Sequence, residues 1–299
     1  MDFSKYIIVE NINLFILSMI DVKKYRVHKS IAGDLDAVIQ LVQSSLNRKT
    51  YEHYTLSNSG KKRSILSSSV KWSKLEGVND VGVTGLYLAP ATTIEGVNTC
   101  KMSGLCTHGC IAFTGMLGFH HQTTIVNRTL ALFHYTERYL VDMLRELYIQ
   151  SFKASIDGKS LYCRLNGTSD LPFYKVLNMD AIVEDFNGLA GFYDYTKYPV
   201  VNNPWTSYHL TYSYSETTKK IHSSFDRVAI VVTKEDKIKL LSSYPGVFVD
   251  GDKHDIRPLD KGCYVLLQGK RATAKGKQLH NDFIQSYDTC VSLFVGGEV

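Results

Sequence analysis

Three cysteines, Cys100, Cys106 and Cys110, fall within eleven residues of a chain that carries six. The segment reads Asn98-Thr-Cys-Lys-Met-Ser-Gly-Leu-Cys-Thr-His-Gly-Cys-Ile-Ala, a Cys-x5-Cys-x3-Cys spacing. Thiolates are soft ligands that suit iron–sulfur clusters, zinc and Cu(I). Three of them converge only if the chain curls about a common centre, and Gly104 and Gly109 permit such a curl. Three thiolates are one short of a closed four-ligand site. A [4Fe-4S] cluster held this way keeps one iron open, the arrangement that radical S-adenosylmethionine enzymes use, although their usual spacing is Cys-x3-Cys-x2-Cys. Two alternatives remain open. One is zinc on the three cysteines with His108, His120 or His121 as fourth ligand, and the other is three unligated thiols. Cys163, Cys263 and Cys290 lie in or near apolar runs and read as core thiols.

The elements that would carry this loop follow from hydrophobic patterning. The chain has 299 residues, 44% apolar and 21% charged, so it buries a core without disulfide staples. Short β-rich runs occur at Val83–Leu88, Leu161–Leu165, Leu189–Tyr195, Tyr208–Tyr214, Arg227–Val232, Val247–Asp250 and Cys263–Leu267. Helical spacing marks Leu35–Leu46, Thr124–Tyr148 and Lys234–Ser242. Alternation of strand and helix predicts an α/β fold with parallel strands, a full or partial TIM-type (β/α) barrel over residues 81–299. Residues 1–80 read as an irregular extension with one helix and a Ser/Lys-rich connection.

Polar residues gather just after the strands, where ligand sites lie in such folds. Asn166, Ser169 and Asp170 suit a ribose or an amino-acid headgroup, and the same residues suit a polar turn that caps a helix. Asp194 and Lys197 suit substrate orientation or a surface ion pair. Alternation puts His209, Thr211, Ser213 and Ser215 on one strand face, a polar barrel interior; Glu216 follows. The run Asp250-Gly-Asp-Lys-His-Asp suits either a metal or a solvated loop.

Several segments together resemble a known family. They are the cysteine loop, Val126-Asn-Arg-Thr, Cys163-Arg-Leu-Asn-Gly-Thr-Ser-Asp-Leu-Pro, Phe192-Tyr-Asp-Tyr-Thr-Lys, Tyr208-His-Leu-Thr-Tyr-Ser and Asp250-Gly-Asp-Lys-His-Asp-Ile-Arg. Over about residues 80 to 280 the chain resembles the bacteriophage "gene product 88" family. The resemblance implies a phage- or mobile-element-encoded protein acting in the host cytoplasm, with a weaker similarity to radical S-adenosylmethionine barrels. It transfers no activity. Gly118-Phe-His-His departs from the more basic pattern expected of the family, which bears on His120 and His121.

Other classes lack their marks. There is no Gly-x-x-x-x-Gly-Lys-[Ser/Thr] loop, no Gly-x-Gly-x-x-Gly after a strand, no Gly-x-Ser-x-Gly elbow and no His-x-His. The apolar run Ile12–Ile20 is too short to span a bilayer. The net charge of +5 and the basic residues Lys270, Arg271, Lys275 and Lys277 permit contact with nucleic acid without demanding it. The leading expectation is an iron–sulfur enzyme acting on a small molecule. In it Cys100, Cys106 and Cys110 hold the cluster and Asn166, Ser169 and Asp170 hold S-adenosylmethionine. Asp194, His209 and Glu216 stand near substrate. The competing expectation is a zinc-stabilised protein that binds host protein or nucleic acid.

Overall fold

The computed structural model describes residues 1–21, 34–46, 63–67, 80–113, 122–199, 201–260, 264–269 and 283–295. Its helices are α1 (Ile12–Met19), α2 (Leu35–Ser45), α3 (Gln122–His134), α4 (Thr136–Ile156), α5 (Met179–Asp185), α6 (Lys234–Ser243) and α7 (Tyr287–Val295). Its strands are β1 (Val81–Gly85), β2 (Ser160–Arg164), β3 (Leu189–Thr196), β4 (Tyr208–Ser213), β5 (Arg227–Val232), β6 (Phe248–Asp250) and β7 (Tyr264–Gln268). All seven strands lie where the apolar runs predict them. Starts are set by side-chain caps: Asp34, Asn178 and Thr233 accept from the backbone N–H of Ala37, Ala181 and Asp236.

The strands form one sheet in the order β1-β2-β3-β4-β5-β7-β6, and every pair in it is parallel. This is an open half-barrel. Closure into a full TIM barrel is not formed among the described residues, because β1 pairs within the sheet only with β2 and β6 only with β7. The free edge of β1 is instead covered by the N-terminal region, where Ser67 and Gly85 exchange backbone hydrogen bonds of 2.9 and 3.0 Å.

Side-chain alternation gives the sheet two unlike faces. On one face Cys163, Phe192 and Tyr208 pack against Leu140, Met143, Leu144 and Leu147 of α4 and Ile182 of α5. The same face continues as Val228, Ile230, Tyr264 and Leu266 against Leu240 of α6 and Leu293 of α7. The opposite, concave face carries a smaller cluster of Val83, Tyr87, Ala112, Ile125, Tyr193 and Ile256. Helices α4 to α7 thus cover one side, and loops together with the first turn of α3 cover the other.

Two expectations change in detail. The helical run Thr124–Tyr148 is two helices, broken at Tyr135 (φ −135°, ψ 44°). Hydroxyls within it compete for helix carbonyls: Thr129 bonds the Ile125 carbonyl and Thr136 the Leu132 carbonyl, at 2.8 and 2.7 Å. The N-terminal region is also less separate than its composition suggests. Phe3, Tyr6, Phe15 and Met19 belong to the main core, and Tyr6, Tyr148 and Phe3 stack edge-on about Phe186.

Gly188 sits where the chain enters β3. Its φ is +87°, and a Cβ there would press on the Ser151 carbonyl and on Ser155 of α4. We predict that Gly188→Ala lowers unfolding free energy by at least about 1–3 kcal/mol in a urea titration. An unchanged midpoint would show that α4 is not held this closely against the sheet.

Candidate functional site

The cysteine loop is fixed to the carboxyl end of the sheet at several points. Thr99 donates its hydroxyl to the Ala89 carbonyl at 2.6 Å, and its own carbonyl accepts from the Asp170 N–H at 2.8 Å. The Cys100 N–H is held by the Asn98 side chain at 2.9 Å, and the Cys100 thiol donates to the Thr168 carbonyl at 3.6 Å. From below, the Asn98 N–H bonds the Met19 carbonyl at the end of α1. Cys106 lies in a 3-10 helix, Gly104–Gly109. Glu216 reaches its first turn from beyond β4, accepting the Leu105 N–H at 2.7 Å. Gly104 has φ +49°, and a Cβ there would collide with the Glu216 carboxylate. The second Glu216 oxygen, Oε2, is buried without a hydrogen-bond partner.

The three thiols are free and partly buried. Burial pushes Cys100 up to about 12 and Cys110 up to about 11, and it raises Cys106 as well. Cys110 lies within electrostatic reach of both Cys100 and Cys106, so that charge on one opposes charge on the next. Lys197 acts the other way on Cys106, favouring its thiolate. Among the described residues, no group of three His, Cys, Asp or Glu side chains is placed to hold a single metal ion. The set is three free thiols near a buried Glu216 oxygen that has no hydrogen-bond partner, a soft donor chemistry that iron–sulfur clusters, zinc and Cu(I) share.

The expected headgroup residues form a knot of their own. Asn166 accepts from Ser169 Oγ and from the Leu171 N–H, both at 2.8 Å, and donates to the Leu171 carbonyl at 2.9 Å. Thr168 donates to the Leu88 carbonyl, and Gly167 lies too close to Leu86 and Tyr87 to carry a Cβ. Asp170 accepts the Lys197 N–H at 2.9 Å, and burial pushes its carboxyl up to about 6. The crevice bordered by Asn166, Asp170, Tyr174 and Tyr198 has about 10 Å³ of space, room for about one water.

Asp194 and His209 point to opposite sides of the sheet. Asp194 shares the helix-covered face with Phe192 and Tyr208 and is fully buried. It accepts from the Asn166 N–H at 2.7 Å and from the Tyr208 hydroxyl at 2.8 Å, with Arg164 Nε 3.9 Å away. Burial still outweighs these contacts and lifts its carboxyl to about 7. His209 pairs in register with Tyr193 on the concave face. Its pKa is lowered, first by burial and then by Arg227. Asp250 and Asp252, read as a candidate metal run, form ion pairs with Lys237. His254 lies 3.4 Å from Asp260, and Asp255 bonds Arg164.

Other residues lie outside what the structure describes: His120, His121, Cys263, Lys270, Arg271, Lys275, Lys277 and most of the Ser/Lys-rich segment 57–74, as does the side chain of His108. Sequence reading missed the concave-face set of Arg164, Tyr193, Tyr195 and Arg257. Its signal was present, because Tyr193 and Tyr195 alternate in step with His209 and Thr211.

Fold and site together define an α/β half-barrel protein whose thiol-bearing loop follows its first strand and is clamped to the strand tips. The chain matches the family model "Gene product 88" over residues 44–286, well over half its length, and it belongs to that family. The match begins nearer the N-terminus than the motif resemblance, which starts at about residue 80. No curated protein and no solved structure matches the chain. No described helix is long and apolar enough to cross a membrane.

The buried Asp194 gives a pH prediction. Folded, it keeps its proton up to about 7; its ordinary value is 3.8. Between those values the folded chain binds more proton, so this carboxyl withdraws stability as pH rises from about 4 to about 7. Urea unfolding of wild type and Asp194→Asn near pH 5 and near pH 8 checks this. The difference in unfolding free energy moves in the variant's favour at the higher pH. A difference that stays constant would mean the carboxylate is already ionised at the lower one.

Proposed function

We propose that this chain is a phage-encoded metal-cofactor protein of the host cytoplasm, an iron–sulfur enzyme of the radical S-adenosylmethionine kind. The observation that carries the reading is the placement of Cys100, Cys106 and Cys110. They sit on one clamped loop at the carboxyl end of a parallel half-barrel, with Cys110 within electrostatic reach of both of the others. A parallel α/β sheet places ligands at that end.

Cys100, Cys106 and Cys110 would hold the cluster. When bound, it would supply an electron and an open iron to a small chelating molecule, S-adenosylmethionine being the one that ligand count and position suggest. The rest of the work falls to this chain's own groups. Thr168 and Glu216 hold the two ends of the loop, and Lys197 biases Cys106 toward its thiolate. Asn166, Ser169 and Asp170 fix the neighbouring strand tip that would border the cosubstrate. Ala112, Ile125 and Ile256 keep water from the concave face, and His209 stands on that face near substrate.

Purification without air followed by iron, zinc and sulfide analysis tests the reading. The expected result is a brown protein with about four irons and about four sulfides per chain, reduced to a fraction of that in Cys106→Ala. A colourless protein holding zinc would point to the binding-protein reading instead. Full metal content in Cys106→Ala would remove the assigned ligand set.

A further inference from the structure

The concave face holds a cluster of polar side chains that neither the thiol loop nor the helix packing uses. Strand register sets them side by side. Arg164 ends β2 beside Tyr193 of β3, Tyr195 pairs with Thr211 of β4, and Thr211 pairs with Arg227 of β5. The connection from β6 folds over this row, and its 3-10 turn Arg257–Leu259 lies against β4. Arg257 is fully buried there and donates to the His254 carbonyl.

Two hydroxyls in the row have no partner. Tyr193 Oη and Thr211 Oγ1 make no hydrogen bond, although the residues are 0% and 1% exposed. The Nε atom of Arg257 is likewise buried without a hydrogen bond, whereas that of Arg164 lies 3.9 Å from Asp194 on the far side of the sheet. The two hydroxyls and the Arg257 Nε can all donate. Buried donors left unmade are costly, and natural proteins leave few. A group rich in acceptors is what completes such a set.

The chain itself offers two such groups, Asp260, whose carboxylate lies 3.1 Å from Arg257 Nη1 in the interior, and Asp255 at the solvent side. Asp255 accepts from Arg164 Nη1 at 2.7 Å and from the Tyr195 hydroxyl at 3.4 Å. The Arg164 guanidinium lies over the Tyr195 ring at 4.8 Å, which fixes its plane. The Asp255 side chain is 25% exposed, whereas that of Arg164 is 11%. The carboxylate therefore approaches from the solvent side onto an interior cation.

We propose that the concave face is a binding site for a small oxyanion, a carboxylate or phosphate group on this protein's ligand, and that Asp255 occupies the place in its absence. The site borders the thiol loop, since Cys110 packs against the cluster that holds Tyr193, but its hydrogen-bond accounting does not depend on the metal reading. Isothermal titration of the full chain with inorganic phosphate, and separately with acetate, tests it. Wild type binds weakly because Asp255 competes. Asp255→Ala binds one of the two anions at least about tenfold more tightly, the worth of one freed charge-assisted hydrogen bond. Which anion gains tells phosphate from carboxylate. Adding Tyr193→Phe to that variant reverses part of the gain without changing shape. Should Asp255→Ala fail to fold, Asp255→Asn keeps the volume, removes the charge and shows the same direction. No gain with either anion overturns the proposal, and so does a gain that Tyr193→Phe leaves untouched.

Discussion

A parallel sheet has no hairpins to finish its strand ends, so the carboxyl tips must be tied off by side chains. Here that task falls on the buried carboxylate of Asp194. It takes the Asn166 N–H just past β2 and the Tyr208 hydroxyl at the start of β4, while sitting on β3 itself. Three neighbouring strands meet at one group. Asn166, so placed, folds Ser169 and Leu171 back on itself, and Thr168 and Asp170 then reach the cysteine loop. The position of Cys100 is thus set through a chain of short hydrogen bonds that begins inside the sheet. A loop carried this way keeps its geometry with or without anything bound to it.

Charge is divided between the two faces in a way that follows from this. Arg164 stands between Asp194 behind the sheet and Asp255 in front of it. One guanidinium cannot fully neutralise two carboxylates in a dry interior, and burial leaves Asp194 with its proton up to about 7. The nearer contact goes to Asp255, which is also the wetter of the two. The concave face is therefore the side on which Arg164 has an exchangeable partner. Asp194, with its hydrogen-bond acceptors already used, is a structural carboxyl before it is anything else. Of the two strand residues expected near substrate, Asp194 and His209, His209 is the one that faces the hollow of the half-barrel.

Much of the fold was legible in the sequence. The seven strands were readable because each is a short β-branched or aromatic run flanked by polar residues, and because β4 keeps strict alternation from Tyr208 to Ser213. The break at Tyr135 was hidden, since Thr129 and Thr136 look like ordinary helix residues until their hydroxyls are seen on the carbonyls one turn back. Openness of the sheet was hidden too. Strand count and spacing are alike in a half and a full barrel, and only pairing at the edges decides. The cysteine loop was legible as chemistry, but its supports were not: Glu216, Met19 and Thr168 come from distant segments and carry no local pattern.

The same limit explains why Asn166, Ser169 and Asp170 read so readily as ligand residues. Small polar groups after a strand are equally what a chain needs to turn tightly beside its neighbours and what it needs to grip a headgroup. Donor and acceptor counting separates the two uses. The Asn166 side-chain oxygen accepts twice and its amide donates to the Leu171 carbonyl, so little of it is left to offer. Tyr193 and Thr211, which drew less notice as hydroxyls within strands, keep theirs unspent. Capacity to bind lies with the groups the fold has not already used, and in this half-barrel those groups line the concave side.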